Sequence, residues 1–197
     1  MNYKNLTPQE NEYFAENELI QIIPNFKEDQ FQFISGTFGP FRPAKPVTVP
    51  LWLAIYLKSR NKCSIQLPKW LDYSCLLTIK SIEKEIVAEF SPDLPYYYYE
   101  IATLLFNNCS DEFSGVGQQS SNLQKLKSVI EDIYEVRKEK LLKSIRSVKA
   151  EDTPIMNLSS IGAVELNQVR PAFSSAYSIL YQMQNLMEQN ADETQVV

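Results

Sequence analysis

The chain has 197 residues, which is enough for one sizeable hydrophobic core, or for one domain with a small appendage. A formal net charge of −5 argues against a broadly basic surface for DNA or anionic membranes, although it leaves room for a local basic stripe. The sequence contains no histidine, which excludes a Ser–His or Cys–His catalytic pair and a histidine-containing zinc site, and which lowers the prior for an enzyme.

The first third of the chain carries the β-type signals. Thr7-Pro8-Gln9-Glu10 has the pattern of a capping box with proline in the first turn, and it predicts a helix that runs to about Asn17. Three short segments with alternating or β-branched apolar residues are predicted as strands: Leu19–Ile23, Phe31–Ile34 and Val47–Val49. The stretch 35–50 holds two glycines and four prolines, which rule out a helix.

From residue 50 onward, apolar residues recur at helical spacing. The predicted helices are Leu51–Arg60, Asp72–Ile86, Pro95–Asn108, Asn122 to about Ala150, and a last one that follows Pro171. Glycines, serines and acidic residues predict a loop over 109–121. The tail after Glu188 is polar and is predicted to be disordered.

These elements predict a mainly α protein, in which a small β-rich N-terminal domain is followed by an antiparallel helical bundle. We expect the N-terminal domain in residues 1–65, the bundle in residues 66–188 and the disordered tail in residues 189–197. The boundary lies near residues 60–68, where Pro68 interrupts the chain ahead of Trp70.

The sequence predicts neither a catalytic site nor a cofactor or metal site. Cys63, Cys75 and Cys109 are odd in number and lack CxxC spacing, which is typical of reduced thiols in a cytosolic or nuclear protein. The stretch 115–120 has two glycines of a dinucleotide fingerprint but lacks the third, so a loop is the better interpretation. Six carboxylates lie among lysines and are interpreted as solvated helix surface: Glu83, Glu85, Glu131, Asp132, Glu135 and Glu139.

The end of the long helix is basic. Its cations are Lys138, Lys140, Lys143, Arg146 and Lys149. One interpretation is contact with nucleic acid, and the other is that cations stabilise a helix C-terminus through its dipole. We favour the second, because no aromatic residue alternates with these charges as a stacking platform would require.

Arg137 occupies an unusual position in the long helix. Counting the heptad from Leu123 through Ile130 places Arg137 where the next apolar residue is expected. A guanidinium there either reaches the edge of the helix contact or meets a carboxylate across it. We predict a structural ion pair.

Two aromatic clusters flank rigid turns in the N-terminal part, Phe38-Gly39-Pro40-Phe41 and Leu51-Trp52-Leu53. One interpretation is a small hydrophobic core under the sheet, and the other is an adhesive face for another subunit. The two are compatible, because a module of about 60 residues cannot bury all its apolar surface alone. Aromatics at 12% of the chain also suit a permanent interface.

The stretch 39–63 resembles a known family. Its residues closely resemble the second Psf-type subunit of the GINS family: Gly39-Pro40-Phe41, Pro43, Pro46, Val49-Pro50-Leu51-Trp52-Leu53-Ala54, Leu57-Lys58, Arg60 and Lys62-Cys63. Further matches follow in order along residues 10–187: Ile22-Ile23-Pro24-Asn25-Phe26, Pro68, Trp70, Pro95-Tyr96-Tyr97, Leu104-Leu105, Asn107, Asp132, Arg137 and Lys140-Leu141.

The resemblance implies a β-rich B domain ahead of a helical A domain. It also implies a nuclear heterotetramer of four paralogous subunits, which joins the hexameric MCM ring and a RecJ-like cofactor in the active replicative helicase. ATPase chemistry belongs to the ring, so the expected role is a non-catalytic scaffold subunit without strong DNA binding of its own. The alternative is a helical nucleic-acid-binding module. Candidates for interface or packing roles are Phe38, Phe41, Trp52, Trp70, Tyr96, Tyr97 and Arg137.

Overall fold

The computed structural model describes residues 6–86, 89–113, 119–147 and 159–194. The first helix, α1 (Pro8–Ala15), begins with the predicted capping box. The Thr7 hydroxyl accepts a hydrogen bond from the Glu10 backbone N–H at 3.2 Å, and the Thr7 N–H donates to the Glu10 carboxylate at 2.7 Å. Both interactions satisfy N–H groups that a helix start would otherwise leave unpaired.

Five strands follow or flank this helix: β1 (Leu19–Pro24), β2 (Phe31–Phe33), β3 (Gly36–Phe38), β4 (Val47–Pro50) and β5 (Cys63–Gln66). An antiparallel sheet has the order β4-β1-β5, with Ile20 opposite Val49 and Ile22 opposite Ile65. Alternate residues of β1 face the core, as a half-buried strand requires. The strands β3 and β5 were not predicted, because each is too short to display a period of its own.

The strands β2 and β3 form a separate antiparallel hairpin. Just after it, Gly39 has a φ of 123°, and a Cβ at this position would lie 2.6 Å from the Asp29 carbonyl oxygen. Only glycine fits this close approach without strain. The turn returns the chain to Phe41, which bridges to Glu28 by two backbone hydrogen bonds.

The remaining helices are α2 (Leu51–Ser59), α3 (Tyr73–Glu85), α4 (Tyr98–Asn108), α5 (Gln119–Ser147) and α6 (Ala163–Thr194). Short 3₁₀ turns lie at Lys69–Leu71 and Ser110–Phe113, the second within the predicted loop. The predicted end of α5 near Ala150 lies outside the described residues.

Two predictions about the last helix were wrong. It begins at Ala163 and contains Pro171 rather than following it. Glu165 and Val169 are buried, and packing of this face holds a helix that the proline signal alone would end. The helix also continues to Thr194, through most of the stretch predicted as a disordered tail. Residues 189–194 contain neither glycine nor proline, so polarity there does not stop the helix.

One hydrophobic core cluster connects the sheet to the bundle, and a smaller one lies around Leu141, Ile161 and Val169. The larger cluster runs from Ile22 in β1 through Leu53 in α2 and Leu105 in α4 to Ile133 in α5. The structure is therefore mainly α, with a small antiparallel sheet region ahead of a helical bundle, as predicted. Among the described residues, no helix has the length and apolar character needed to cross a membrane.

Candidate interaction surface and buried charge cluster

Arg137 lies at the centre of a buried charge cluster between helices of the bundle. Its guanidinium is fully buried and pairs with Glu83 of α3 at 2.6 Å and with Glu165 of α6 at 2.8 Å. It also donates to the carbonyl oxygen of Ser160. The predicted ion pair is confirmed, and it joins two carboxylates rather than one. The five donors of arginine make such a double pairing possible.

Lys140 and Tyr98 complete the cluster. The Lys140 amine pairs with the second oxygen of Glu83, and the Tyr98 hydroxyl donates to Glu165 at 2.5 Å. The backbone N–H of Gly162 donates to the other Glu165 oxygen at 2.9 Å. Two cations thus face two carboxylates, and the cluster is neutral. We use the name charge cluster for Glu83, Tyr98, Arg137, Lys140 and Glu165.

The electrostatics of the cluster follow from burial and pairing. Burial opposes the charge of Arg137, but Glu165 and Glu83 outweigh this effect and raise the pKa of the guanidinium. Burial, with the neighbouring Glu165 charge, raises the pKa of the Tyr98 hydroxyl well above its usual value. The guanidinium carbon also lies 4.9 Å from the Phe90 ring centroid. Because Arg137 has no exposed surface, it serves helix packing and cannot touch a substrate.

The cluster corrects one prediction and adds residues that the sequence did not indicate. Glu83 was grouped with solvated carboxylates, yet it is fully buried, because α3 turns it toward α5. Glu165 was missed, since it precedes the proline that was taken as the helix start. The one available signal was that Arg137 needed an acidic partner. The carboxylates that pair with Arg137 lie on other helices, so their identity depends on how the helices pack and could not be predicted from the residues near Arg137.

Several cations at the basic end of α5 contact other side chains of the same protein. Lys140 belongs to the charge cluster, and Lys143 pairs with Glu139 one turn away at 2.9 Å. Lys138 lies over the Tyr134 ring at 5.8 Å from its centroid. The side chains of Arg146 and Lys149 lie outside the described residues. Burial of Lys140 weakens the interpretation of this segment as a nucleic-acid site.

The aromatic residues of the N-terminal part divide into a core and a surface. Phe41 is fully buried, and its ring lies 5.3 Å from Phe26 and 4.9 Å from Phe31. Phe38 and Trp52 are half-buried, with the Trp52 indole edge-on to Phe33 at 5.2 Å. Phe41 therefore packs the interior, while Trp52 reaches the protein surface.

A shallow groove of about 470 Å³ lies beside Trp52. The lining residues define what we call the Trp52 surface: Tyr13, Glu16, Asn17, Phe33, Ile34, Ser35 and Trp52. Ile34 stands fully exposed at the tip of the β2–β3 hairpin, and Tyr13 is 66% exposed. Clustered exposed apolar side chains of this kind are typical of protein interaction sites.

The other aromatic candidates lie elsewhere. Trp70 is half-buried against the core, and Tyr97 is half-buried at the start of α4. Tyr96 is exposed, with its ring 4.7 Å from that of Tyr97. Their roles at an interface stay predictions. Within the described ranges, no group of three or more His, Cys, Asp or Glu residues could hold a metal ion.

Comparison with known proteins places this fold in a class. Residues 75–184 match the family model of the GINS complex protein helical bundle domain, and residues 7–66 match that of the PSF2 N-terminal domain. A small sheet region followed by this bundle defines a GINS-type protein.

Similar proteins narrow the class. The DNA replication complex GINS protein PSF2 of Xenopus laevis is 33% identical over 184 residues, which cover 93% of this chain and 95% of that protein. The PSF2 protein of Homo sapiens is 33% identical over 90% of this chain and 91% of its own, and that of Schizosaccharomyces pombe is 30% identical over 95% and 94%. The chain belongs to the PSF2 family of GINS proteins. The family resemblance noted from the sequence is confirmed.

Proposed function

We propose that the chain is a non-catalytic scaffold subunit of a heterotetrameric GINS complex in the nucleus. In this proposal the complex joins the MCM ring and a RecJ-like cofactor to form the active replicative helicase. The observation that carries the proposal is the match over nearly the whole chain to proteins named as GINS subunits of the DNA replication complex. ATP turnover belongs to the ring, and this subunit supplies rigid docking surface.

Two structural features support a scaffold role. The charge cluster joins α3, α4, α5 and α6, which gives the bundle a fixed geometry. The Trp52 surface presents exposed apolar side chains that a soluble monomer rarely leaves uncovered. We propose that another subunit of the complex covers this surface.

Co-expression tests the proposal. The chain is produced alone and with three paralogous GINS subunits, and the soluble products are sized. We expect the isolated chain to aggregate or to behave as a loosely packed monomer, and the co-expressed chain to elute in a stoichiometric four-subunit complex. A cooperatively melting monomer that ignores the added subunits contradicts the scaffold role.

Substitutions in the Trp52 surface refine the test. Tyr13→Ser and Ile34→Ser should lower recovery of the complex, because both side chains are exposed and neither completes the core. Tyr181→Ser is a matched control, since Tyr181 is also 66% exposed but lies on α6. Equal recovery for all three variants and the parent chain would exclude the Trp52 surface as an interface.

Nuclear location and DNA binding have separate tests. A fluorescent fusion expressed in cells should accumulate in the nucleus, and exclusion from it contradicts that part of the proposal. The isolated chain should bind duplex DNA only weakly, because its net charge is −5. Tight, salt-dependent binding that disappears in Lys138→Ala would favour the nucleic-acid-binding alternative instead.

A further inference from the structure

A small pocket lies between α1, α4 and α6, and it shares no lining residue with the charge cluster or the Trp52 surface. Its volume is about 210 Å³. The lining residues used below are Asn11 and Glu12 of α1, Tyr99, Glu100 and Thr103 of α4, and Asn167 and Gln168 of α6. An engineered cavity of roughly 150 Å³ already admits a benzene ring, so this pocket has room for the end of a long side chain.

Glu100 is the unusual residue in this pocket. It is only 8% exposed, and neither carboxylate oxygen accepts a hydrogen bond from any described residue. Burial raises the pKa of the Glu100 carboxyl, and the Glu165 charge adds to this effect. The Glu100 backbone N–H and the Asn11 amide lie beside the carboxyl and lower its pKa in part, but neither has hydrogen-bond geometry to it. A buried carboxyl without a well-aligned donor is costly, and native structures contain few of them.

Two neighbouring polar side chains already have partners. The Asn167 side chain exchanges two hydrogen bonds with the backbone of Leu6. The Thr103 hydroxyl donates to the Tyr99 carbonyl oxygen at 2.8 Å. Neither lysine nor arginine is among the residues that line the pocket in the described chain. Among the described residues, the buried side-chain atoms of this pocket that still lack a hydrogen-bond partner are the two Glu100 oxygens, and these are acceptors.

We propose that this pocket receives an arginine side chain of a partner subunit, with Glu100 as its counter-ion. Both oxygens of Glu100 are unpaired, and a guanidinium can donate to two oxygens at once, whereas an ammonium is a point charge. Glu12 adds a second carboxylate at the exposed rim, and the Tyr99 ring offers a face for the cation. A nucleic-acid phosphate has the wrong charge for this site.

The proposal rests on the proposed function, because the arginine is supplied by another subunit of the complex. Its test uses the assembled four-subunit complex and measures dissociation of this chain on dilution. Glu100→Gln removes the charge at nearly constant volume, and Glu85→Gln is the control on an exposed glutamate of α3. We expect Glu100→Gln to weaken assembly by about 30-fold or more, as for loss of one partner of a buried interfacial pair. The control should leave assembly unchanged.

A second variant occupies the pocket from within the chain. Thr103 lies three residues after Glu100 on α4, so Thr103→Arg places a guanidinium on the same helix face. We expect this variant to weaken assembly, because its own guanidinium fills the pocket and pairs with Glu100. A zero-length carbodiimide crosslink between Glu100 and a partner lysine would assign the cation to lysine and overturn the proposal for arginine.

The outcomes separate this inference from the proposed function. If the parent chain fails to assemble with the other subunits, both fall together. If the parent chain assembles and Glu100→Gln assembles equally well, only the arginine site is overturned. If Glu100→Gln speeds amide hydrogen exchange in α3 and α5 of the assembled complex, away from the pocket, while the control does not, Glu100 serves the fold of this chain, and the proposal is likewise overturned.

Discussion

Replacing Arg137 with alanine removes the central cation of the charge cluster and leaves its carboxylates in place. Glu83 would keep the Lys140 amine and the backbone N–H of Ser91, which donates at 2.9 Å. Glu165 would keep the Tyr98 hydroxyl and the Gly162 N–H. Two buried carboxylates would then share one cation, so the variant carries an uncompensated buried charge.

The expected loss in the free energy of unfolding follows from this imbalance of buried charges. Breaking a buried ion pair by removing one partner costs about 3–5 kcal/mol. The hydrogen bonds that remain to each carboxylate keep the estimate within this range, although two pairs are broken. A single domain of this size loses roughly 2–4 °C of Tm per kcal/mol, which corresponds to a fall of about 6–20 °C for one domain and to a smaller fall in a larger assembly. That loss is a large part of a total stability of about 5–15 kcal/mol.

Thermal unfolding of the assembled complex, followed by circular dichroism, measures the effect. Lys143→Ala is the control, because it breaks the exposed pair with Glu139 on the same helix and should cost less than about 1 kcal/mol. The double variant Arg137→Met with Glu165→Gln should recover part of the loss, since one stranded carboxylate is neutralised. Equal midpoints for Arg137→Ala and the control would refute the view that the cluster holds the bundle.

Three further predictions follow from other contacts. Phe41→Ala should cost about 3–5 kcal/mol in folding stability, because the ring is fully buried. Trp52→Ala should mainly lower the yield of the four-subunit complex and have a smaller effect on the folding stability of this chain. The same pattern for both variants would contradict the division into core and surface. Asp72→Ala should cost roughly 1 kcal/mol in urea unfolding, since the Asp72 carboxylate caps α3 by accepting from the Ser74 N–H; an unchanged midpoint argues against the cap. Burial raises the pKa of the Cys63 and Cys109 thiols to about 11, so both should resist iodoacetamide at neutral pH until the chain unfolds, whereas the half-buried Cys75 need not. Rapid modification of Cys63 or Cys109 in the native protein, located by peptide mapping, contradicts their burial.

Features that depend on neighbouring residues of the chain could be predicted from the sequence. The capping box at Thr7 required only neighbouring residues, and the structure contains both of its hydrogen bonds. The heptad position of Arg137 also predicted a structural ion pair, because an arginine in an apolar stripe either reaches the edge of the helix contact or meets a carboxylate across it, and the structure has the second arrangement. In both cases the residue type and its position in the helix indicate which kind of contact the side chain makes.

Features that depend on distant residues were missed. β5 exists because Ile65 pairs with Ile22 across more than half of the N-terminal part, and four residues alone do not specify a strand. The start of α6 is set by packing of Glu165 and Val169, which overrides the proline signal. The Glu100 pocket is formed by three helices, so it could not be found before their arrangement was known.

The charge cluster and the Glu100 pocket share two helices, and this links fold to assembly. Tyr98 and Glu100 lie on α4, while Glu165 and Asn167 lie on α6, so the cluster sets the spacing between two walls of the pocket. Replacing a buried ion cluster by apolar residues of similar volume is often neutral for stability, so stability alone does not explain why the cluster is charged. We hypothesise that directional hydrogen bonds of the cluster fix the spacing of α4 and α6, and that a partner subunit recognises this spacing.

An apolar cluster tests this hypothesis. The combined change Glu83→Leu, Arg137→Met, Lys140→Met and Glu165→Leu removes every charge of the cluster while keeping the volume similar. The stability should therefore fall only by the cost of the buried donors that lose an acceptor, which are the Tyr98 hydroxyl and the N–H groups of Gly162 and Ser91. Tyr98 would lose its acceptor, and α4 and α6 would be held by non-directional contacts alone. Assembly with the other subunits should therefore weaken by about tenfold or more even though the chain remains folded, because a partner fits only one spacing of the pocket walls. If the apolar chain assembles with unchanged affinity, the charges do not set the geometry of the interface.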